Sequence, residues 1–142
     1  MDDNPGTASY PLLPIGTVRS PLRSREECPH QGFEGAPEAE IAFDPTFAEG
    51  LEGLKPGAEI LVLTWFHEAR RDVLKVHPKN DPRNPLRGVF LTRSPDRPNP
   101  IGLHRVKVVA LEGGRLRVRD LEALDGTPVL DVKPVLSCSD DA

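Results

Sequence analysis

The chain has 142 residues, 37% of them hydrophobic, with a single Trp, 16 prolines and 12 glycines; this suits one compact domain over residues 1–142 and leaves little room for two. The formal net charge of −4 excludes a protein that holds nucleic acid with its whole surface. The longest apolar run, Ile60 to Phe66, is interrupted by Thr64 and is far shorter than the roughly 20 residues a membrane-spanning helix needs.

The start, Met1-Asp2-Asp3-Asn4, lacks the basic residues and apolar stretch of a secretory signal, so a cytoplasmic protein is expected. Short strands are expected in preference to long helices, because Pro and Gly interrupt the sequence every few residues. In chain order the strands are Ile15 to Arg19, Glu59 to Phe66, Val73 to His77, Gly88 to Thr92, Arg105 to Leu111, Arg115 to Arg119 and Val129 to Lys133, chosen for β-branched residues and alternation. Alternation is sharpest where Leu116 and Val118 interleave with Arg115, Arg117 and Arg119, which predicts one apolar and one wet face. Gly113-Gly114 and Asp125-Gly126 suit tight hairpins that need positive φ, so consecutive strands should pair antiparallel. One short helix is expected after Asp44, a capping residue, with Pro45 in its first turn and Phe47, Leu51 and Leu54 on one side. The elements together predict an all-β fold, a barrel or a sandwich, with short helical turns and long Pro-rich loops.

Cys28 and Cys138 stand 110 positions apart, outside any CxxC or His/Cys spacing, so they read as free thiols and no metal site is expected. The charge is unevenly spread. Arg70 to Lys107 holds 10 Lys/Arg against Asp72, Asp81 and Asp96, a local excess of +7, which suits either a polyanion-facing surface or a solvated loop. Within it, residues 78–87 are polar and Pro-rich and read as a long mobile loop. No glycine-rich phosphate fingerprint, Ser/His/Asp spacing or HExxH helix is present, which removes the common nucleotide-fold, hydrolase and metalloprotease readings. In Arg93 to Leu103, Pro95, Pro98 and Pro100 restrict the backbone, so the loop is pre-shaped to present Arg93, Arg97 and Asn99, or is a structural crossover.

The segments Gly88-Val-Phe-Leu-Thr-Arg-Ser-Pro95, Arg97-Pro-Asn-Pro-Ile-Gly102 and Leu124-Asp-Gly-Thr-Pro-Val-Leu-Asp-Val-Lys-Pro134 closely resemble the TsaA-like (TrmO-like) family of tRNA methyltransferases. Ile15-Gly-Thr-Val-Arg-Ser-Pro21 and Pro29-His-Gln-Gly32 are similar to it as well, so the motifs span residues 15–134 in the right order. The resemblance implies a single-sheeted antiparallel β-barrel that binds S-adenosylmethionine, works as a homodimer and methylates N6 of threonylcarbamoyl-adenosine beside the anticodon of tRNA. It further implies a cofactor pocket drawn from Gln31, Gly32, Phe66, His67, Arg93, Leu103, Asp120, Leu121, Glu122 and Ala123.

The chemistry suits these residue types. A methyl donor activated by its own sulfonium charge needs positioning and a dry pocket, not a metal or a protein nucleophile. Arg93 is a partner for a carboxylate, Phe66 for apolar or cationic parts, and the backbone of Asp120 to Ala123 for an adenine edge. The plain alternatives are a core Phe66, a strand-end His67 and a turn-forming Asp125. Asn99, Asp125 and Asp131 are the catalytic candidates, since the acceptor nitrogen must shed a proton, and none is singled out as the base. Lys79, Arg83, Arg87 and Arg97 are the expected tRNA contacts. The chain departs from the family at Glu122, where Asp is common, at Val135, where an aromatic is common, and in ending eight residues after Pro134. A non-catalytic module that binds S-adenosylmethionine or another adenosine ligand is the second reading, and another RNA or small-molecule substrate a third.

Overall fold

The computed structural model describes residues 8–22 and 38–136. Six strands close into an antiparallel barrel: β1 (Gly16–Arg19), β2 (Ala39–Phe43), β3 (Glu59–Trp65), β6 (Ile101–Glu112), β7 (Arg115–Arg119) and β8 (Pro128–Pro134), neighbouring one another in the order β1-β2-β7-β6-β3-β8. Closure comes from β8 against β1, with Gly16 opposite Val129 and Thr17 opposite Pro128. Two short strands, β4 (Lys75–Val76) and β5 (Arg87–Gly88), form a separate ribbon.

Alternation builds the core. Ile60, Val62 and Thr64 of β3, Val106 and Val108 of β6, Leu116 and Val118 of β7, with Val18, Ile41 and Val129, turn inward and are buried. Each such aliphatic side chain contributes about 1.5–3 kcal/mol through area removed from water. Arg115, Arg117 and Arg119 point outward, where they pair with Glu40 and Glu38 at 3.4–3.7 Å; exposed pairs of this kind stabilise little and chiefly neutralise the face. Val109 is an extra residue in β6 against β7, and Leu130 an extra residue in β8 against β3. Such bulges increase local twist and help a small sheet to close.

Several expectations are corrected. β2 falls in a stretch read as having no strand, because Ala39 and Ala42 have weak β-propensity and the strand is held by partners on both sides, β1 and β7. β6 begins at Ile101, not Arg105. The expected strand at 88–92 is mostly a 3₁₀ turn, Val89–Leu91, and the one at 73–77 shrinks to β4, since neither joins the barrel. The helix after Asp44 is 3₁₀, Pro45–Leu51, with the Asp44 carboxylate accepting from Thr46 N at 2.9 Å. Gly113-Gly114 is the expected hairpin, with φ of 55° and 83°, but Asp125-Gly126 does not join paired strands. It extends the closing seam: Gly126 N donates to Val18 O and Asp125 N to Leu22 O, both at 2.8 Å. Residues 78–87 are tied internally, with His77 Nδ1 against Asn84 O at 2.8 Å, Asn84 Nδ2 donating to Pro78 O at 2.7 Å, and Arg83 paired with Asp81 at 2.8 Å.

Candidate functional site

Trp65 and Ile101 are paired at the end of the β3–β6 ladder, so residues 66–72 and 92–100 leave the barrel at the same end. They are stitched together there. Phe66 N donates to Pro100 O at 2.8 Å, Arg97 N to Arg70 O at 3.0 Å, and Arg70 N to the Asp96 carboxylate at 2.9 Å. Arg71 packs its guanidinium 5.1 Å from the Trp65 ring and donates to Pro98 O and Asn99 Oδ1.

Two hollows open at this end, with volumes of about 910 and 410 Å³. Phe66, Phe90, Thr92, Arg93 and Glu122 line both. The larger extends along the 76–87 loop to Lys79, Asn84 and Arg87, and across to Ala123, Leu124 and Thr127. The smaller is closed by Asn99, Gly102, Leu103 and His104.

His104 is 4% exposed, on the inner face of β6. Its Nε2 lies 2.7 Å from Thr64 Oγ1, and its ring meets Phe66 edge-on at 5.7 Å. Nδ1 is buried with no hydrogen-bond partner among the described residues. Burial, aided by the Arg93 charge, pushes the ring pKa down to about 4, so the imidazole is neutral near pH 7. Gly102 makes this packing possible: a Cβ there would collide with Thr64 Oγ1, Phe66 Cζ and His104 Nε2.

The profile of the tRNA-methyltransferase O N-terminal domain matches residues 17–141. The chain belongs to that family. It is 46% identical over 123 residues to a probable S-adenosyl-L-methionine-binding protein of Methanothermobacter thermautotrophicus, covering 87% of this chain and 88% of that one. It is 45% identical over 130 residues to an S-adenosyl-L-methionine-binding protein of Archaeoglobus fulgidus, covering 89% and 92%. Crystal structures of TrmO superpose with a TM-score of 0.75 at 34% identity and, for the Pseudomonas aeruginosa protein, 0.74 at 33%. Both cover 95% of this chain, which spans only about three fifths of theirs, 61% and 60%.

The TrmO-like barrel brings Phe66, His67, Arg93, Glu122 and Ala123 to the larger hollow and Leu103 and Asn99 to the smaller. Gln31 and Gly32 lie outside the described residues. Leu121 is fully buried in the core and Asp120 is exposed with φ 71°; neither lines a hollow. Asp125 accepts from Ser20 N at 3.1 Å, and Asp131 accepts from Val132 N at 2.9 Å and pairs with Lys133 at 3.2 Å. Both carboxylates stand outside the hollows. Of the four basic candidates, Lys79 and Arg87 face the larger hollow. Arg83 is engaged by Asp81, whose carboxyl it holds below the usual carboxylate range. Arg97 donates to Thr92 O and Ser94 O at 2.9 and 3.2 Å and lies over Phe90. The residues that sequence reasoning missed are His104, Thr64, Phe90 and Arg71. For His104 a signal existed: it is two residues from Val106 and four from Val108, which places it on their inward face.

Proposed function

We propose that this chain moves a methyl group from S-adenosylmethionine to N6 of threonylcarbamoyl-adenosine next to the anticodon of tRNA, acting in the cytoplasm as a homodimer. The adjacency of the two hollows carries this reading, because a donor in one and an acceptor in the other meet across the wall formed by Phe66, Arg93 and Glu122. The larger volume lies within the roughly 300–1,000 Å³ usual for small-ligand sites. Its residues fit the cofactor's chemistry: Arg93 makes no ion pair or hydrogen bond among the described residues and can take a carboxylate, while Phe66 and Phe90 offer aromatic faces.

When bound, S-adenosylmethionine supplies a methyl group already activated by the sulfonium charge. The protein then has to bind, align and exclude water. Asn99, fixed by Arg71, orients the acceptor in the smaller hollow. Glu122, the carboxylate that lines this hollow, stands where the proton shed by the acceptor nitrogen can be taken up. Leu74, Leu86, Phe90 and Leu91 project into solvent on and beside the β4–β5 ribbon, an apolar patch suited to the second subunit. A monomer at micromolar concentration with full activity, seen by light scattering, would refute the homodimer.

Relatives named only as S-adenosyl-L-methionine-binding proteins favour a second reading, a module that binds the cofactor and methylates nothing. Incubation with labelled cofactor and tRNA lacking only this methyl group separates the two. Label incorporated into tRNA supports the enzyme; tight binding without turnover supports the module.

A further inference from the structure

A buried polar hydrogen without an acceptor is costly, roughly 1–3 kcal/mol, and the possible placements of the hydrogens leave one such group at the wall of the smaller hollow. Thr64 and His104 lie diagonally across the β3–β6 ladder, Thr64 opposite Gly102 and His104 opposite Val62, and the Thr64 hydroxyl has one hydrogen bond among the described residues, to His104 Nε2. If Nε2 carried the ring proton, it would donate to Oγ1; the Thr64 hydroxyl hydrogen would then lack an acceptor, and Nδ1 would lack a donor. If the hydroxyl donates to Nε2, the hydroxyl hydrogen and the Nε2 lone pair are both satisfied and a single group is left over, Nδ1–H. The second arrangement leaves fewer unsatisfied groups.

We infer that His104 is a ligand-recognition residue whose Nδ1–H donates a hydrogen bond to an acceptor atom, a ring nitrogen, carbonyl or carboxylate oxygen, of the group that enters the smaller hollow. The inference rests on the proposed reading of the hollows as a donor and acceptor site. The Thr64 contact sets the tautomer, Phe66 limits the tilt of the ring, and Gly102 leaves room for both. A neutral imidazole suits this role, because it adds a directed donor without placing a further cation beside Arg93 and Arg97, which both line the hollow. The acceptor atom can belong to the cofactor or to the nucleoside, and the two sources are separable.

The test is side-chain ¹⁵N NMR of His104 in the full chain near pH 7.5, first free, then with S-adenosylhomocysteine, then with added threonylcarbamoyl-adenosine, while calorimetry reports binding. The expected free state has the proton on Nδ1 and a bare Nε2. A downfield move of the Nδ1 proton with S-adenosylhomocysteine alone assigns the cofactor as the source; a move only after nucleoside addition assigns the acceptor. His104→Asn, which keeps an N–H near the Nδ1 position, should retain affinity for the assigned ligand. His104→Gln, whose amide sits nearer Nε2, should lose about tenfold, the loss expected for one hydrogen bond. A proton on Nε2, an Nδ1 signal unmoved with both ligands bound, or folded Asn and Gln variants of equal affinity overturns the inference. Absence of calorimetric binding by the unaltered protein instead overturns the reading of the hollows, whatever the tautomer.

Discussion

Arg71 holds Asn99 by its amide oxygen: Nη2 donates to Oδ1 at 3.1 Å, while Nε of the same guanidinium donates to the Pro98 carbonyl at 2.7 Å. Since arginine only donates, the contact fixes which way the Asn99 amide faces and leaves its NH₂ as the group available to a ligand. Arg71→Ala should therefore release the amide without altering the barrel. Methyl transfer is expected to fall about tenfold in kcat, the consequence of lost alignment, with little change in cofactor affinity by calorimetry. Unchanged kcat would show that the proline-rich loop holds Asn99 unaided.

Gly102 stands where β6 passes Thr64, Phe66 and His104. Gly102→Ala should overpack this junction and destabilise the fold by about 1–3 kcal/mol, as extra methyl groups do in filled cores. The urea midpoint measures this; a midpoint equal to that of the unaltered chain would mean that the junction yields freely.

His104 links stability to pH. Its folded pKa is about 4 against an ordinary 6.5, so between these values the unfolded chain binds the proton and the folded one resists it. The stability contributed by the neutral ring is present above pH 6.5 and is lost as pH falls toward 4, by roughly 3 kcal/mol in total. Burial is the larger cause of this shift and Arg93 further opposes protonation, while Thr64 and Phe66 contact the ring. Urea titrations at pH 7 and pH 4 should show the stability difference between the unaltered chain and His104→Gln shrinking by about that amount. A difference equal at both pH values would contradict it.

Arg93 faces both hollows. Arg93→Ala should weaken S-adenosylmethionine binding by roughly 1.5–3 kcal/mol, the range for a hydrogen bond to a charged group. Unaltered affinity in calorimetry would remove Arg93 from the cofactor site.

The legible parts of this fold are those written in local alternation. Leu116 and Val118 between arginines, the Gly113-Gly114 turn and the apolar β3 all stand as their residues imply. β2 was hidden because Ala-Glu-Ile-Ala-Phe owes its strand state to β1 and β7, of which β7 is distant in sequence. Closure was hidden for a similar reason: the β1–β8 seam joins residues more than 100 positions apart. At the site, the motif-bearing loops marked Arg93 and Asn99 and the resemblance marked Phe66, but not what each arginine does. Arg97 and Arg83 are alike in composition, yet one is spent on backbone carbonyls and the other on Asp81.

That division sharpens the test for tRNA. Lys79 and Arg87 are exposed at the larger hollow with no acidic partner among the described residues, and Lys79 is presented by consecutive left-handed residues, with φ of 57° at Lys79 and 55° at Asn80. If they contact phosphates, each releases counterions on binding, so the slope of log affinity against log salt should fall by about 0.7–0.9 per residue removed. Lys79→Ala with Arg87→Ala should thus flatten the slope by about 1.5 and raise KM for tRNA. Arg83→Ala should flatten it less, since its guanidinium is already committed to Asp81. Equal slopes for all variants, or methylation of free threonylcarbamoyl-adenosine as efficient as that of whole tRNA, would reduce the basic segment to a solvated loop and remove tRNA as the partner, leaving the methyl-transfer chemistry to be tested on other acceptors.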